Sequence, residues 1–462
     1  MSAPQRILVV GGDAAGMSAA SRLARRAPHS HVTVLERSTY VSYAACGMPY
    51  HLDDRIPDAG DLLVRRPDQF AALGIDLRLA HEVTGLDPDA GSVTVRSGGI
   101  ERTERYDALL IATGARAIVP PVAGADAAGV HLFRSYDDLL ALRRRLDRAR
   151  PGRIVIAGGG YIGVELAEVL TEAGVAVTIL EAGPRLMPGM LDPEIAEMVA
   201  DELLRHGVDL RLGTPLTAID TRDGRVRGVR AAGDDIACDA VVLAVGVRAA
   251  TGFTQGSGVE LDPANGAVVV GEDLRSSRDG VWAAGDCATT TDLVTGRRAW
   301  VPLGPTANKQ GRVAADTMLG RPSRFAGVVG TALVRVFDLA VGRTGLTAAE
   351  GVAAGFDVVT ERIESTDRAH YYPGARPTVV LLHGDRSTGR LLGGQVVGHS
   401  GVAGRTNVLA TALQTGLSVQ RLGELDLGYA PPFAPAWDPV LVAAHRLQSR
   451  LAGSWQTERV PA

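Results

Sequence analysis

Arg6-Ile-Leu-Val-Val-Gly-Gly-Asp-Ala-Ala-Gly16 and Arg153-Ile-Val-Ile-Ala-Gly-Gly-Gly-Tyr-Ile-Gly163 share one design, an apolar run closing on a glycine-rich turn. Each leads into a small-residue helical stretch, Met17 to Arg26 and Val164 to Ala173. Each then meets a second apolar run ending in an acid, Val32-Thr-Val-Leu-Glu36 and Val175 to Glu181. Strand, glycine turn, helix and a carboxylate about 20 residues on is the pattern of a dinucleotide-binding unit. The glycines let backbone N–H groups approach a pyrophosphate at the helix N-terminus, and the acid takes a ribose hydroxyl. Gly158, Gly160, Gly163 and Glu181 satisfy it fully. In the first unit Gly11, Gly12 and Gly16 surround Asp13, which stands where the middle glycine belongs, and Glu36 arrives on time.

Outward from these units, Ala108-Leu-Leu-Ile-Ala-Thr-Gly114 and Ala240-Val-Val-Leu-Ala-Val-Gly246 read as further strands of the same two parallel sheets. Gly280-Val-Trp-Ala-Ala-Gly-Asp286 follows the second unit and reads as a return to the first sheet. Later the texture changes to strand-like Ala332-Leu-Val-Arg-Val-Phe and Thr378-Val-Val-Leu-Leu, then a helix-like Asn407 to Thr415, a third unit of α+β type. The expected class is therefore α/β, with two Rossmann-like dinucleotide-binding domains and a C-terminal α+β domain. Expected boundaries are 1–115 and 246–325 for the first domain in two parts, 116–245 for the second and 326–462 for the third.

Composition agrees with this and excludes other classes. A chain of 462 residues exceeds what one core organises. A net charge of −4 gives no field to attract nucleic acid or an anionic membrane. No apolar run reaches the roughly 18 residues of a membrane span, and Met1 to Gln5 lead straight into the first strand. No secretion signal, membrane span or metal site is expected, and a cytoplasmic location is. Three cysteines, Cys46, Cys238 and Cys287, are odd in number and far apart, which fits a reducing compartment. Lys309 is the only lysine; either codon bias or a need for a compact ammonium accounts for it.

Cys46 lies in Tyr40-Val-Ser-Tyr-Ala-Ala-Cys-Gly-Met-Pro-Tyr50. Gly47 and Pro49 suggest a tight turn opening a short helix, whose N-terminus would favour a thiolate and lower its pKa. An isolated cysteine is otherwise a small hydrophobe, the reading kept for Cys238 and Cys287.

Together these residues resemble the flavoprotein disulfide reductases with two dinucleotide domains. Within them they resemble the single-cysteine branch of coenzyme A disulfide reductases, NADH oxidases and NADH peroxidases. The resemblance covers nearly the whole chain and implies the order FAD domain, NAD(P) domain, return to the FAD domain, dimerisation domain. It implies FAD and NADH or NADPH as cofactors, with coenzyme A held on Cys46 as a mixed disulfide. Gly11, Gly12, Gly16 and Glu36 look like the adenine side of the FAD site, with Arg37 and Ser42 beside them. Thr113 and Gly114 look like its Ala-Thr-Gly turn, and Gly285 and Asp286 like its ribityl motif. Pro305, Thr306 and Ala307, in Leu303-Gly-Pro-Thr-Ala-Asn-Lys-Gln-Gly-Arg312, resemble the segment near the isoalloxazine. Gly158, Gly160, Gly163, Glu181 and Gly246 fall to the NAD(P) site. Glu181 would repel a 2′-phosphate and favour NADH, a preference that nearby Arg185 would soften.

Two departures narrow the branch. General disulfide reductases carry C-x-x-x-x-C, whereas here the positions five before and five after Cys46 are Val41 and His51. Peroxidase and many oxidase relatives carry a His in the first glycine turn, which here reads Gly-Gly-Asp-Ala-Ala-Gly. Ala369-His-Tyr-Tyr-Pro-Gly374 and Gly428-Tyr-Ala-Pro-Pro-Phe433 resemble the segments whose tyrosines, from the partner subunit, border the cysteine in coenzyme A disulfide reductases. Tyr371, Tyr372 and Tyr429 are therefore expected beside Cys46 in a homodimer, one of the first two facing inward. Arg22, Arg25, Arg26, Arg65 and Arg66, with Ser42, either bind the coenzyme A substrate or form solvated surface. The expected reaction passes electrons from NAD(P)H through FAD and Cys46 to a small disulfide, coenzyme A disulfide first. Its rivals are an oxidase or peroxidase working through a Cys46 sulfenic acid, a persulfide reductase, although no rhodanese-like segment follows residue 462, a reductase serving a protein electron carrier such as a ferredoxin, and a redox switch.

Overall fold

The computed structural model describes residues 6–148 and 151–457. The first glycine unit builds a five-stranded sheet ordered Val281–Ala283, Ala108–Ile111, Arg6–Val10, His31–Leu35, Ile75–Arg78. Every pairing in it is parallel. The second builds another in the same sense, Asp209–Arg211, Ala176–Leu180, Arg153–Ala157, Ala240–Leu243, Val130–Leu132, again wholly parallel. Both faces of such sheets are covered, so their central strands are apolar without alternation. Leu109, Leu110, Ile111, Ile154, Val155 and Ile156 are all fully buried. Val281–Ala283 does return to the first sheet, and Ala115–Ala117 pairs antiparallel with Val247–Ala249 where the chain leaves and re-enters.

The glycine-turn helices run Ala14–Arg26 and Tyr161–Glu172, starting earlier than their apolar pattern suggests because the turn passes directly into the helix. The decapeptide at 303–312 opens the helix Gly304–Met318, which lies against Ala14–Arg26. Gly311 makes that approach feasible, since a Cβ there would stand 2.2 Å from the Ala15 carbonyl oxygen.

The third unit is a five-stranded antiparallel sheet, Ala332–Val336, Leu339–Gly345, Leu391–Gly398, Pro377–Asp385, Val358–Thr366. Helices Val402–Gln414 and Pro439–Thr457 cover it. The first of these begins before the expected Asn407, because Gly401, at φ +71°, reverses the chain in a left-handed conformation.

One buried carboxylate joins all three units. Glu168, on Tyr161–Glu172, accepts from Arg55 Nη1 at 2.7 Å and from the Phe337 amide at 3.0 Å. Arg55 follows the Cys46 segment, and Phe337 sits in the turn between the first two strands of the third sheet. His206 stacks on Phe337 at 3.7 Å. A second link joins Asp192, at the start of helix Pro193–Arg205, to His383 Nε2 at 2.9 Å and Gln395 Nε2 at 2.5 Å on the third sheet. Such charges are tolerated inside because each is paired and hydrogen-bonded.

The Gly311 contact is open to test. Gly311→Ala drives a methyl group into the backbone of Ala14–Arg26 and should destabilise the domain by about 1–3 kcal/mol. Thermal unfolding followed by FAD fluorescence should show cofactor release several degrees below the parent, with the second domain still binding NADH.

Candidate active site

The two glycine turns have almost superimposable bonding. The Gly11 amide donates to Leu35 O at 2.9 Å and the Gly158 amide to Leu180 O at 2.8 Å. One oxygen of Glu36 accepts from Gly12 N and the other from Ser38 N, both at 2.7 Å. Glu181 does the same with Gly159 N and Gly183 N, both at 2.7 Å. A Cβ at Gly16 would meet Gly11 O at 1.9 Å, and one at Gly163 would meet Gly158 O at 2.0 Å. Neither helix has an acid in its first turn or a side-chain cap. Both therefore present unshared N–H groups, the donors a pyrophosphate needs.

Around the first turn lie Thr113, Gly285 and Ala307, with Gly114 and Asp286 both beside Arg134. Gly285 has φ +83°, and a Cβ there would stand 3.0 Å from Ala15 Cβ and 3.4 Å from Ala307 Cβ. Its amide donates to Gln310 Oε1 at 2.8 Å. Gln310 Nε2 and Thr113 Oγ1 are buried without a partner among the described residues. Orphaned donors beside an open helix N-terminus fit a bound FAD. Sequence reasoning missed Gln310, although it lies in the quoted decapeptide, and Arg134, which no motif marks. Arg134 Nη2 pairs with Asp286 at 2.8 Å, bringing a cation to the cradle from residues between the two units. Pro305 and Thr306 stand at the N-terminus of Gly304–Met318, and Lys309 is exposed on that helix. Arg37 is exposed next to Glu36.

Around the second turn, a Cβ at Gly160 would meet nothing within 4 Å, leaving the approach open. Gly246, at φ +117°, ends the neighbouring strand as Gly114, at φ +68°, does in the first domain. Arg185 Nε is buried and unpartnered among the described residues.

Cys46 is tied to the first turn through the backbone. Ser42 N donates to Gly12 O at 2.9 Å, and Ser42 adopts φ +52°, rare for a residue with a side chain. This reversal sends Tyr43 to Cys46 past the cradle, where Tyr40 and Tyr43 pack on Tyr136. Cys46 is exposed, whereas Cys238 and Cys287 are buried, the latter with its thiol donating to Ile111 O and Ala284 O.

The expected helix N-terminus at Cys46 is not there. Cys46 is the middle residue of a single 3-10 turn, Ala45–Gly47, which has too few aligned peptides to favour a thiolate. Desolvation by the surrounding walls pushes its thiol pKa up, and the Glu165 carboxylate pushes it further, with Arg134 opposing. Glu165 is itself pushed up to about 7 by burial and by the charge of Glu168.

The tyrosines gather elsewhere on the chain. Tyr371 OH and Tyr429 OH lie 3.2 Å apart, and that bond pushes the Tyr371 phenol pKa up. Tyr371, Tyr372, Tyr429, Phe433 and Trp437 are all exposed. Neither tyrosine of the pair hydrogen-bonds to Cys46 among the described residues. Arg22 is engaged by Asp316 at 2.8 and 2.5 Å, and Arg26 approaches the same carboxylate at 3.8 Å. Arg65 and Arg66 are exposed, without an ion pair among the described residues.

Residues 5–311 match the family model described as pyridine nucleotide-disulphide oxidoreductase, and residues 331–440 match the dimerisation domain of the same family. A Pyrococcus horikoshii protein named NAD(P)H coenzyme A polysulfide/persulfide reductase is 38% identical over 446 residues, covering 96% of this chain and 98% of that one. The structure of reduced CoADR-RHD from Bacillus anthracis aligns with a TM-score of 0.94 at 32% identity, over 98% of this chain and 81% of that one. A water-forming NADH oxidase from Lactobacillus brevis, bound to NADH, aligns with a TM-score of 0.94 at 28% identity, over 98% and 100%.

Asp13, the residue in place of the middle glycine, provides a test at the first turn. Burial is the main cause that pushes its carboxyl up to about 6; Glu36 adds to the rise and Arg134 opposes it. Its native pKa exceeds its unfolded value, so the native state holds the proton longer and stability falls as pH rises through the interval from about 4 to about 6. Asp13→Asn should raise the midpoint of thermal FAD release by a few degrees at pH 7.5, and the gain should vanish below about pH 4. Parallel melting curves for the two proteins at both pH values would refute this account.

Proposed function

As a member of the pyridine nucleotide-disulphide oxidoreductase family, the chain is, we propose, an NAD(P)H-dependent flavoprotein that reduces a small disulfide, coenzyme A disulfide foremost, through Cys46. The observation that carries this reading is the state of its cysteines. One exposed thiol hangs from the backbone of the flavin-type glycine turn, with Val41 and His51 where a second cysteine would stand, and the other two thiols are buried. A lone thiol cannot close an internal disulfide, so any disulfide at Cys46 takes its second sulfur from the substrate.

FAD, when bound, accepts a hydride from the nicotinamide and returns the electron pair to sulfur. The chain does the rest. Gly158, Gly160 and Gly163 admit the NADH pyrophosphate, and Glu181, held by two amides, is poised to receive a ribose diol. A carboxylate there repels a 2′-phosphate and favours NADH, with the free Nε of Arg185 moderating the bias. The Cys46 thiolate attacks one sulfur of the disulfide, the S–S bond breaks and a coenzyme A thiolate leaves. That thiolate takes a proton, and the mixed disulfide on Cys46 is cleaved by the electron pair drawn from NADH, releasing the second thiol. In this reading the resting state of Cys46 is a mixed disulfide with coenzyme A.

The family's dimerisation domain at 331–440 supports a homodimer. In that dimer the exposed Tyr371–Tyr429 pair of one protomer reaches the partner's cysteine turn, and a phenol of the pair protonates the leaving thiolate. Arg65 and Arg66, exposed and without an ion pair among the described residues, take the coenzyme A phosphates, whereas Asp316 engages Arg22. No helix among the described residues is long and apolar enough to cross a membrane, and a working free thiol suits the reducing cytoplasm. A persulfide of coenzyme A is the second acceptor to weigh, given the Pyrococcus relative, and it uses the same thiol exchange.

Cys46→Ser decides between these readings and an oxidase or electron carrier. Rapid-mixing absorbance should show flavin reduction by NADH unchanged, while turnover of coenzyme A disulfide disappears; retained disulfide turnover would defeat the mechanism. The intact mass of the unmodified protein should carry an increment of one coenzyme A that reductant removes.

A further inference from the structure

The two tyrosine segments are separate in sequence and have no extended structure of their own. Residues 367–376 connect strands Val358–Thr366 and Pro377–Asp385, and residues 428–438 approach helix Pro439–Thr457. One direct backbone bond crosses between them, Ala369 N to Pro431 O at 3.2 Å. Beneath both lies Arg405, on helix Val402–Gln414, only 6% exposed. Its Nη2 donates to Asp367 O at 2.9 Å, at the root of the first segment. Its Nε donates to Asp438 Oδ2 at 3.0 Å, at the end of the second. Each anchor is fixed in turn. Asp367 exchanges bonds with the backbone of Arg376, closing the loop that carries Tyr371, and Asp438 Oδ1 accepts from Val440 N as helix Pro439–Thr457 begins.

We infer that Arg405 is a positioning residue, whose planar fork fixes the two tyrosine segments against each other so that Tyr371 and Tyr429 meet as one proton-donating unit. A guanidinium suits the task because two donors of a rigid plane reach two partners at once, which a single-point ammonium does not. The pocket is matched to it, since a Cβ at Gly401 would stand 2.6 Å from Arg405 Nη1. Among the described residues its partners are one carboxylate and one carbonyl, both belonging to the tyrosine segments, while its Nη1 is buried without a partner. The inference rests on the reading that this pair serves the partner's Cys46.

The test compares Arg405→Lys, Tyr429→Phe and the two combined, as FAD-loaded dimers. Arg405→Lys should lower kcat for coenzyme A disulfide on the order of tenfold or more, as loss of alignment does. The rate of flavin reduction by NADH and the KM for NADH should stay as in the parent. Combined with Tyr429→Phe it should cost nothing further, because both changes break one unit. Ultraviolet titration should show the Tyr371 phenol moving down as its bond to Tyr429 is lost. Parental disulfide turnover in Arg405→Lys, or losses that multiply in the combined variant, would overturn the inference and leave the tyrosine reading standing. Parental turnover in Tyr429→Phe and in Tyr371→Phe would overturn both. Should Arg405→Lys fail to assemble, Asp438→Asn, which loosens the same fork from its other end, carries the same expectations.

Discussion

A carboxylate accepting the amide of the second glycine, at 2.7 Å in each unit, is the contact on which the architecture depends. It fixes the end of one strand to the turn leaving another. The helix then starts so close to its own strand that only glycine fits at 16 and 163. Both oxygens of each acid are engaged by backbone donors, so the acid is held before any ribose arrives. The carbonyl of Gly12 faces the other way and receives Ser42, so the turn that frames one ligand also suspends the cysteine segment.

The electrostatics of Cys46 follow from that suspension. A thiol delivered by a reversed loop has no long helix behind it, and desolvation first, then the Glu165 carboxylate on Tyr161–Glu172, opposes its ionisation. The cation closest in effect is Arg134, already paired with Asp286. A nucleophile so placed is stabilised by what binds beside it rather than by the bare chain.

Most of the scaffold was legible in the chain because strand, glycine turn and carboxylate are local features with a fixed spacing, and the parallel strands announce themselves as unbroken apolar runs. The return of Val281–Ala283 to the first sheet was legible for the same reason. The thiol's surroundings were not, since Gly47 and Pro49 mark a turn without saying how long the helix behind it runs. Arg134 lies among residues that build the other domain, and its pairing with Asp286 spans the two units. Glu168 was hidden in an ordinary helical pattern, one of three acids on its helix with nothing to single it out. The tyrosine segments were marked by their resemblance, but the arginine beneath them has no local signature. Contacts between distant segments leave no periodicity to read.

Glu168 has a consequence for how the molecule comes apart. Its side chain is a charge with no access to water, satisfied only while Arg55 of one unit and the Phe337 amide of another stay in place. Parting either unit breaks a hydrogen bond to a charged group, which the carboxylate must then replace with water. One side chain thereby ties the nicotinamide helix to the cysteine loop and to the third sheet, so a shift of the third sheet is transmitted to both.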